Sequence, residues 1–263
     1  MDVRIMSSDG NTKVQERVRD VAVLCGGSLT NRTAASRSIA HMLQPKALAP
    51  DALERSKLIH RGASARVHAD AFREVRTRLL ALGGNGNFVT LVVAVSPGCG
   101  ASFVARNIAA AFAFDEAKTA LLIDCNLRYP AQHLALGVGA AHGGLIDYLE
   151  HPNCGIPHVL YGTGIPRLRL IPAGRPREST AEYFSSYRMR ALIDALRTRY
   201  PDRYIVMDGP ALKGSPDARI LSELADFVVI VAAYGRDTAT FINQAAAGLD
   251  PRKVAGVVFN SPP

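Results

Sequence analysis

The strongest constraint on the fold of this chain is an alternation of short apolar runs with segments of helical periodicity. From about residue 69 onward the apolar runs are continuous, which predicts strands that are buried on both faces of a sheet. The runs are FVTLVVAV, KTALLIDC, RLRLIPAG, YIVMDGP, FVVIVAAY and VAGVVFN. The pattern predicts an α/β fold, with a doubly wound, mostly parallel sheet flanked by helices and ligands at the carboxyl ends of the strands.

One long amphipathic helix is predicted over the segment TAEYFSSYRMRALIDALRTRY. We expect Tyr183 and Tyr187 to be buried in this helix, and Tyr204 to be buried in the strand that follows. None of the three tyrosines is therefore expected to expose its hydroxyl group to solvent.

Length and composition suggest the domain boundary and the compartment. The 263 residues suit one α/β domain with a modest extension, or two small domains. The pattern predicts an arm or linker with one or two short helices over residues 1–60, with a small docking element as the alternative, and the α/β domain over residues 61–263. The chain has no apolar run long enough to cross a bilayer, no secretory signal at its start and no metal spacing among its four cysteines. These features predict a cytoplasmic protein with reduced thiols.

The chain is basic, with a formal net charge of +8 and a pI of about 9.6. Such a balance suits an anionic partner. The basic residues are scattered, however, and no dense basic run is interleaved with aromatic residues. Nucleic acid is therefore not an expected partner.

A phosphate-binding loop is indicated by the stretch VVAVSPGCGASFVARN at the end of the first apolar run. Gly98 and Gly100 permit the backbone conformations of an anion-binding nest, and the helix that follows directs its first N–H groups at the ligand. Ser102 stands where a hydroxyl group holds Mg²⁺, but Ala101 stands where the loop pattern has lysine. For the loop alone, a purely structural glycine turn is the alternative.

Two aspartates end strands beside this loop. Asp124 ends the run LLID, and Asp208 ends the run YIVMD. Carboxylates at such strand ends can coordinate Mg²⁺ and polarise water. Ser102, Asp124 and Asp208 form the predicted metal set, and the two aspartates are the candidate catalytic residues. A turn or helix-cap role is the alternative for each aspartate taken singly.

From about Ala69 to Asn260 the chain resembles the bacterial tyrosine kinases, cytoplasmic kinase domains of capsule and exopolysaccharide export that belong to the deviant-Walker P-loop ATPases. SPGCGASFVARNIAAAFA resembles the family's Walker A loop and helix, LLIDCNLRYPAQH its second acidic motif and YIVMDGP its Walker B strand. The resemblance implies ATP or ADP with Mg²⁺ as cofactor. The implied nucleotide-binding set is Pro97, Gly98, Cys99, Gly100, Ala101, Ser102, Phe103, Arg128 and Lys213.

The segment DAFREVR resembles the family's E-x-x-R-x-x-R segment, which contacts a neighbouring subunit in relatives. Its spacing places Asp70, Arg73 and Arg76 on one helical face. The resemblance thus implies a homo-oligomer, whereas a solvated charged face is the alternative. It also implies a membrane polysaccharide co-polymerase or chain-length regulator as partner, which would hold the protein at the periphery of the inner membrane.

The chain departs from the family where chemistry is performed. Ala101 replaces the Walker A lysine, Phe103 replaces a hydroxyl residue, Asn126 replaces the second acidic residue, and no tyrosine-rich tail follows FNSPP. Losing a cation that stabilises phosphoryl transfer typically costs on the order of a thousandfold in rate. We therefore expect a pseudokinase-type regulator or scaffold of exopolysaccharide or capsule biosynthesis, with ATP hydrolysis weak or absent.

Two other functions stay open at this stage. One is an active ATP-dependent tyrosine autokinase that uses an unusual cation, for which Lys213 is the candidate. The other is a partition- or septum-type ATPase switch, although those proteins keep lysine in the loop. Arg128 could contact phosphate, a neighbouring subunit or a salt-bridge partner. Cys99, before a helix N-terminus, could be an inert thiol or a redox switch.

Overall fold

The computed structural model describes residues 4–6, 48–60, 66–84, 86–178, 180–214 and 216–261. The strands in these residues are β1 (Arg4–Met6), β2 (Val89–Ala94), β3 (Thr119–Asp124), β4 (Tyr161–Gly162), β5 (Leu168–Ile171), β6 (Arg203–Asp208), β7 (Phe227–Ala233) and β8 (Val254–Asn260). They form one sheet in the order β1-β8-β7-β2-β6-β3-β5-β4. The strands from β8 to β5 are parallel, and β1 and β4 pair antiparallel at the edges.

Helices occupy most of the segments between the strands. They are α1 (Pro50–Arg55), α2 (Arg66–Gly83), α3 (Ala101–Ala113), α4 (Gln132–Ala135), α5 (Leu145–Glu150), α6 (Ala181–Ser185), α7 (Tyr187–Arg199), α8 (Asp217–Leu224) and α9 (Ala239–Ala246). The predicted fold class is confirmed: the sheet is mostly parallel and flanked by helices.

The centre of the sheet is buried, as the continuous apolar runs predict. Every residue of β2, β3 and β6 is buried. The alanine-rich helix α3 packs on β3 and β6, and α2 packs on α3. Small side chains let α3 lie close to the sheet. The loop that precedes α3 is therefore held by a buried strand on one side and a buried helix on the other.

The predicted long helix is wrong, because the chain breaks at Ser186 into α6 and α7. Ser186 has extended ψ of 150°, and its hydroxyl accepts a hydrogen bond from the Met189 N–H as the N-cap of α7. Serine favours this position over a helix interior. As a consequence Tyr187 is exposed, at 83%, where burial was predicted, and Tyr183 is half-buried with its hydroxyl donating to Glu150. The predicted burial of Tyr204 is confirmed.

The last part of the predicted N-terminal arm, residues 48–60, lies against the domain. Leu58 and Ile59 are buried. The buried Asn107 of α3 accepts from the Ile59 N–H (2.8 Å) and donates to the Lys57 carbonyl (3.1 Å). The short helices predicted nearer the N-terminus lie outside the described residues. Among the described helices, none is both long and apolar enough to cross a membrane.

Candidate functional site

The glycine loop lies between β2 and α3, at the carboxyl edge of the sheet, as predicted. Gly98 and Gly100 have φ of 83° and 84°, in the region that favours glycine. A Cβ at Gly100 would also collide with the side chain of Asn260, which donates to the Cys99 carbonyl at 2.8 Å. Helix α3 begins at Ala101, and its first N–H groups have no partner within the helix. The loop therefore has the backbone of an anion-binding nest, with Pro97 exposed at its entrance.

A cation lies against this loop, but it comes from the turn after β7. Nη2 of Arg236 donates to Ser96 Oγ (2.9 Å) and to Cys99 Sγ (2.9 Å). The Cys99 thiol in turn donates to the carboxylate of Asp237 (3.2 Å), which pairs with Arg236. The sequence prediction missed Arg236. The only sequence signal was that β7 also ends at this edge of the sheet.

The two predicted aspartates meet as neighbours across β3 and β6, where Asp124 and Asp208 are paired in register. Both side chains are fully buried. Burial raises the pKa of Asp124 to about 6, although three main-chain N–H donors act in the opposite direction. Burial, and next the charge of Asp124, raise the pKa of Asp208 to about 7. This pair is thus far less acidic than aspartates in water.

Gln132, the first residue of α4, connects the two aspartates. Its main-chain N–H donates to Asp124 Oδ2 (3.0 Å), and its side-chain Nε2 donates to Asp208 Oδ2 (2.6 Å) and to the Ser102 carbonyl (2.9 Å). Arg106 donates to the same carbonyl (3.3 Å), and its charge acts on Asp208. Both residues were missed by the sequence prediction. Arg106 had a signal, because it lies one helical turn after Ser102.

The chain is similar to known tyrosine kinases of bacteria. It is 32% identical over 195 residues to the putative tyrosine-protein kinase EpsB of Ralstonia solanacearum, covering 73% of this chain and 25% of EpsB. The kinase domain of the Escherichia coli tyrosine kinase ETK superposes with a TM-score of 0.70, at 23% identity, over 84% of this chain and 82% of that domain. The chain belongs to the bacterial tyrosine kinase family.

Another relative of this family member is the succinoglycan biosynthesis transport protein ExoP of Rhizobium meliloti, 29% identical over 189 residues that cover 68% of this chain and 23% of ExoP. The chain spans about a quarter of the length of EpsB and ExoP. No protein-family model matches it.

Mg²⁺ does not fit the predicted set of ligands as this family member arranges them. Both oxygens of Asp124 accept main-chain N–H groups, of Asn126 and of Ala131 and Gln132, at 3.0–3.1 Å. One oxygen of Asp208 accepts the Gln132 amide, and a hydrogen bond from the Ser102 side chain also acts on the pKa of Asp208. Mg²⁺ in proteins takes one or two carboxylates and completes its octahedral geometry with waters and phosphate oxygens. A carboxylate pair that already accepts main-chain N–H groups and an amide donor, and that lies beside the charge of Arg106, is an unfavourable ligand for this ion.

At four other positions singled out in the sequence, the side chain is exposed or makes a structural contact. The Lys213 ammonium lies 5.0 Å from the centre of the Phe241 ring. The ring of Phe103 packs edge-on against Phe72 of α2, at 5.8 Å between centroids. The side chain of Arg128 is exposed. Asn126 accepts a hydrogen bond from the Tyr129 N–H at 3.4 Å and so shapes its own turn.

The predicted interface residues lie on α2. Asp70 and Arg73 form an exposed ion pair at 2.6 Å. Arg76 instead donates to the Ala111 carbonyl of α3 at 3.0 Å, within the same chain. The exposed pair is thus the part of the predicted interface that remains accessible to another molecule.

Proposed function

We propose that this family member is a pseudokinase-type regulator or scaffold of exopolysaccharide or capsule biosynthesis and export, with ATP hydrolysis weak or absent. The pathway is supported by membership of the bacterial tyrosine kinase family and by the similarity to ExoP, which is named for succinoglycan biosynthesis. The loss of catalysis is supported by the residues of the phosphate loop itself.

The observation that carries the proposal is the methyl group of Ala101 at the start of α3. The alanine is buried, at 7% exposure, and begins the helix whose N-terminus faces the nest. A lysine at this place would bring positive charge to the phosphate oxygens where charge develops during phosphoryl transfer. Removing such a group from a desolvated site costs about 3–4 kcal/mol in the transition state. The main-chain nest remains, so binding suffers less than turnover.

The partner in this proposal is a membrane polysaccharide co-polymerase or chain-length regulator at the inner membrane, and the chain acts there as a homo-oligomer. The family resemblance of the D-A-F-R-E-V-R segment and the exposed Asp70–Arg73 pair support an assembly of subunits. The net charge of +8 suits a place beside an anionic lipid surface.

Steady-state ATP hydrolysis and autophosphorylation test this proposal on three proteins. We expect the wild type to fall far below the rates of about 1–100 per second that are typical of kinases. In a calorimetric titration with ATP, Ala101→Lys should bind the nucleotide more tightly than the wild type, because the lysine restores the positive charge at the loop. Ala101→Met, of similar length but neutral, is the matched control and should not.

Two outcomes would replace the proposal with another function. Phosphotyrosine on the wild-type chain, formed in the presence of ATP, would make it an active autokinase. ATP hydrolysis coupled to nucleotide-dependent dimerisation, without phosphotyrosine, would make it a partition-type switch.

A further inference from the structure

The carboxylate pair below the phosphate loop is already held by groups of the chain itself. Gln132 is fully buried and reaches both aspartates, through its main-chain N–H to Asp124 and through its side chain to Asp208. The same side chain reaches the Ser102 carbonyl in the first turn of α3. An uncharged amide thus connects the strand ends to the phosphate-loop helix, at the position where the sequence predicted a metal ion.

The charge of the pair is also balanced from within. Arg106 lies on α3 and donates to the Ser102 carbonyl, and its charge partly opposes the rise that burial causes in the pKa of Asp208. Buried carboxylates without a counter-ion would repel the phosphates of a ligand in the nest above them. With Gln132 and Arg106 in place, this repulsion is reduced without a divalent cation.

Positive charge for a phosphate ligand comes from Arg236 in place of the missing lysine. Its guanidinium lies against Ser96 and Cys99, and a Cβ built on Gly98 would lie 3.8 Å from its Nη1, so this end of the guanidinium is close to the glycine loop. The ion pair with Asp237 and the main-chain hydrogen bond from Ala233 to that carboxylate fix the turn that carries the arginine. Arginine binds phosphate oxygens with two parallel hydrogen bonds, so a half-exposed guanidinium at this place is suited to a nucleotide phosphate.

We infer that this chain binds a nucleoside diphosphate without a divalent metal, with Gln132 and Arg106 holding the carboxylate pair and Arg236 supplying the cation at the loop. The inference rests on the proposed function, since a site that binds nucleotide without Mg²⁺ can act as a regulated scaffold without turning ATP over. Gln132 and Arg106 are positioning residues here, and Arg236 is a binding residue.

Calorimetric titration of ADP into the 263-residue protein tests the inference, once with EDTA and once with excess MgCl₂. We expect the two dissociation constants to agree within about threefold, which corresponds to a difference of roughly 0.7 kcal/mol. A dissociation constant at least tenfold lower with MgCl₂ would overturn the inference. Absence of ADP binding in both buffers would also overturn it, while leaving the proposed lack of turnover intact.

Two variants, Arg236→Ala and Gln132→Leu, test the binding residue and a positioning residue separately. Arg236→Ala should weaken ADP binding about tenfold or more in both buffers, because it removes a charged hydrogen-bond donor. Arg199→Ala, an exposed arginine at the end of α7, is the matched control and should bind like the wild type. Equal affinity of Arg236→Ala and wild type would refute the role of that arginine.

Gln132→Leu keeps the volume but removes the amide donor from Asp208. We expect its ADP affinity to fall in EDTA and to recover with MgCl₂, so that the variant acquires the metal dependence that the wild type lacks. A variant whose affinity is the same in both buffers would contradict the positioning role. If this variant does not fold, the wild-type comparison between the two buffers still decides the inference. ATP hydrolysis by the wild type would instead refute the proposed function and leave the metal comparison valid.

Discussion

Asp208 shows how far a buried position can move the chemistry of one residue. The carboxyl group lies at a strand end with no exposure to solvent, and burial raises its pKa from an ordinary value near 3.8 to about 7. Asp124, its neighbour across the sheet, is raised to about 6 for the same reason. At neutral pH the pair therefore retains part of its protons. A carboxylic acid that stays partly protonated is a poorer metal ligand than a carboxylate.

The raised pKa values predict that the pair destabilises the fold as the pH rises. Between an ordinary pKa near 3.8 and the folded value of about 7, the unfolded chain has lost protons that the folded chain still binds. The free energy of unfolding therefore falls with rising pH across this window and levels off above it. A shift of one pKa unit corresponds to about 1.4 kcal/mol, so we expect a loss of several kcal/mol for the pair, measured by urea unfolding at both ends of the window.

Asp208→Asn is the control for this pH dependence. Asparagine keeps an oxygen that can accept from Gln132 but cannot ionise, so the fall in stability should become smaller. Carboxylates with lowered pKa, such as Asp250 and Asp237, act in the opposite sense and are the same in both proteins. An identical pH dependence in the two proteins would show that Asp208 titrates normally in the fold.

At the scale of elements, the sequence predicts the strands better than the helices. A strand in the middle of a parallel sheet needs only an apolar run, and the runs ending in Asp124 and Asp208 occur where predicted. The break between α6 and α7 depends on a competition at Ser186 between helix continuation and capping, which a periodicity count does not register. The edge strands β1 and β4 were not predicted, since two- and three-residue strands have no period.

The candidate site likewise has parts that the sequence predicts and parts that it does not. Its main-chain parts, the nest and the strand-end aspartates, could be predicted because they depend on local pattern and on the carboxyl-edge rule. Its side-chain partners could not, because they arrive from distant segments. Arg236 contacts a cysteine that is 137 positions away in the chain, and Gln132 contacts an aspartate 76 positions away.

The cap at Ser186 leads to a prediction at the scale of one helix. Ser186→Ala removes the oxygen that accepts the Met189 N–H and should lower the free energy of unfolding by about 1 kcal/mol. Ser185→Ala is the matched control, because its exposed hydroxyl only donates to the Glu182 carbonyl at 3.3 Å. Urea unfolding of the two variants measures the difference. Equal stability of the two variants would show that the hydroxyl of Ser186 does not stabilise the start of α7.

At the scale of the whole molecule, helix α2 packs against the domain with one face and exposes the other face to solvent. Its inner face buries Phe72, Val75 and Leu79. Arg76 donates to the carbonyl of Ala111, and Arg78 donates to that of Ala255 at 2.9 Å. These contacts fix the orientation of the outer face, where Asp70 and Arg73 pair in solvent. A rigid helix with an exposed charged pair can present it to a second subunit at little cost in entropy.

If the proposed homo-oligomer forms through this face, its assembly should depend on Arg73 while the fold does not. An exposed pair such as Asp70–Arg73 adds at most about 1 kcal/mol to the stability of its own chain. Arg73→Glu should therefore leave the urea midpoint almost unchanged, yet place two like charges at the proposed contact with a neighbouring subunit. Sedimentation equilibrium should show an oligomer for the wild type and the monomer mass for Arg73→Glu. Arg199→Glu, a charge reversal at the end of α7, should keep the wild-type mass, and a wild type that is monomeric at every concentration would refute the predicted interface.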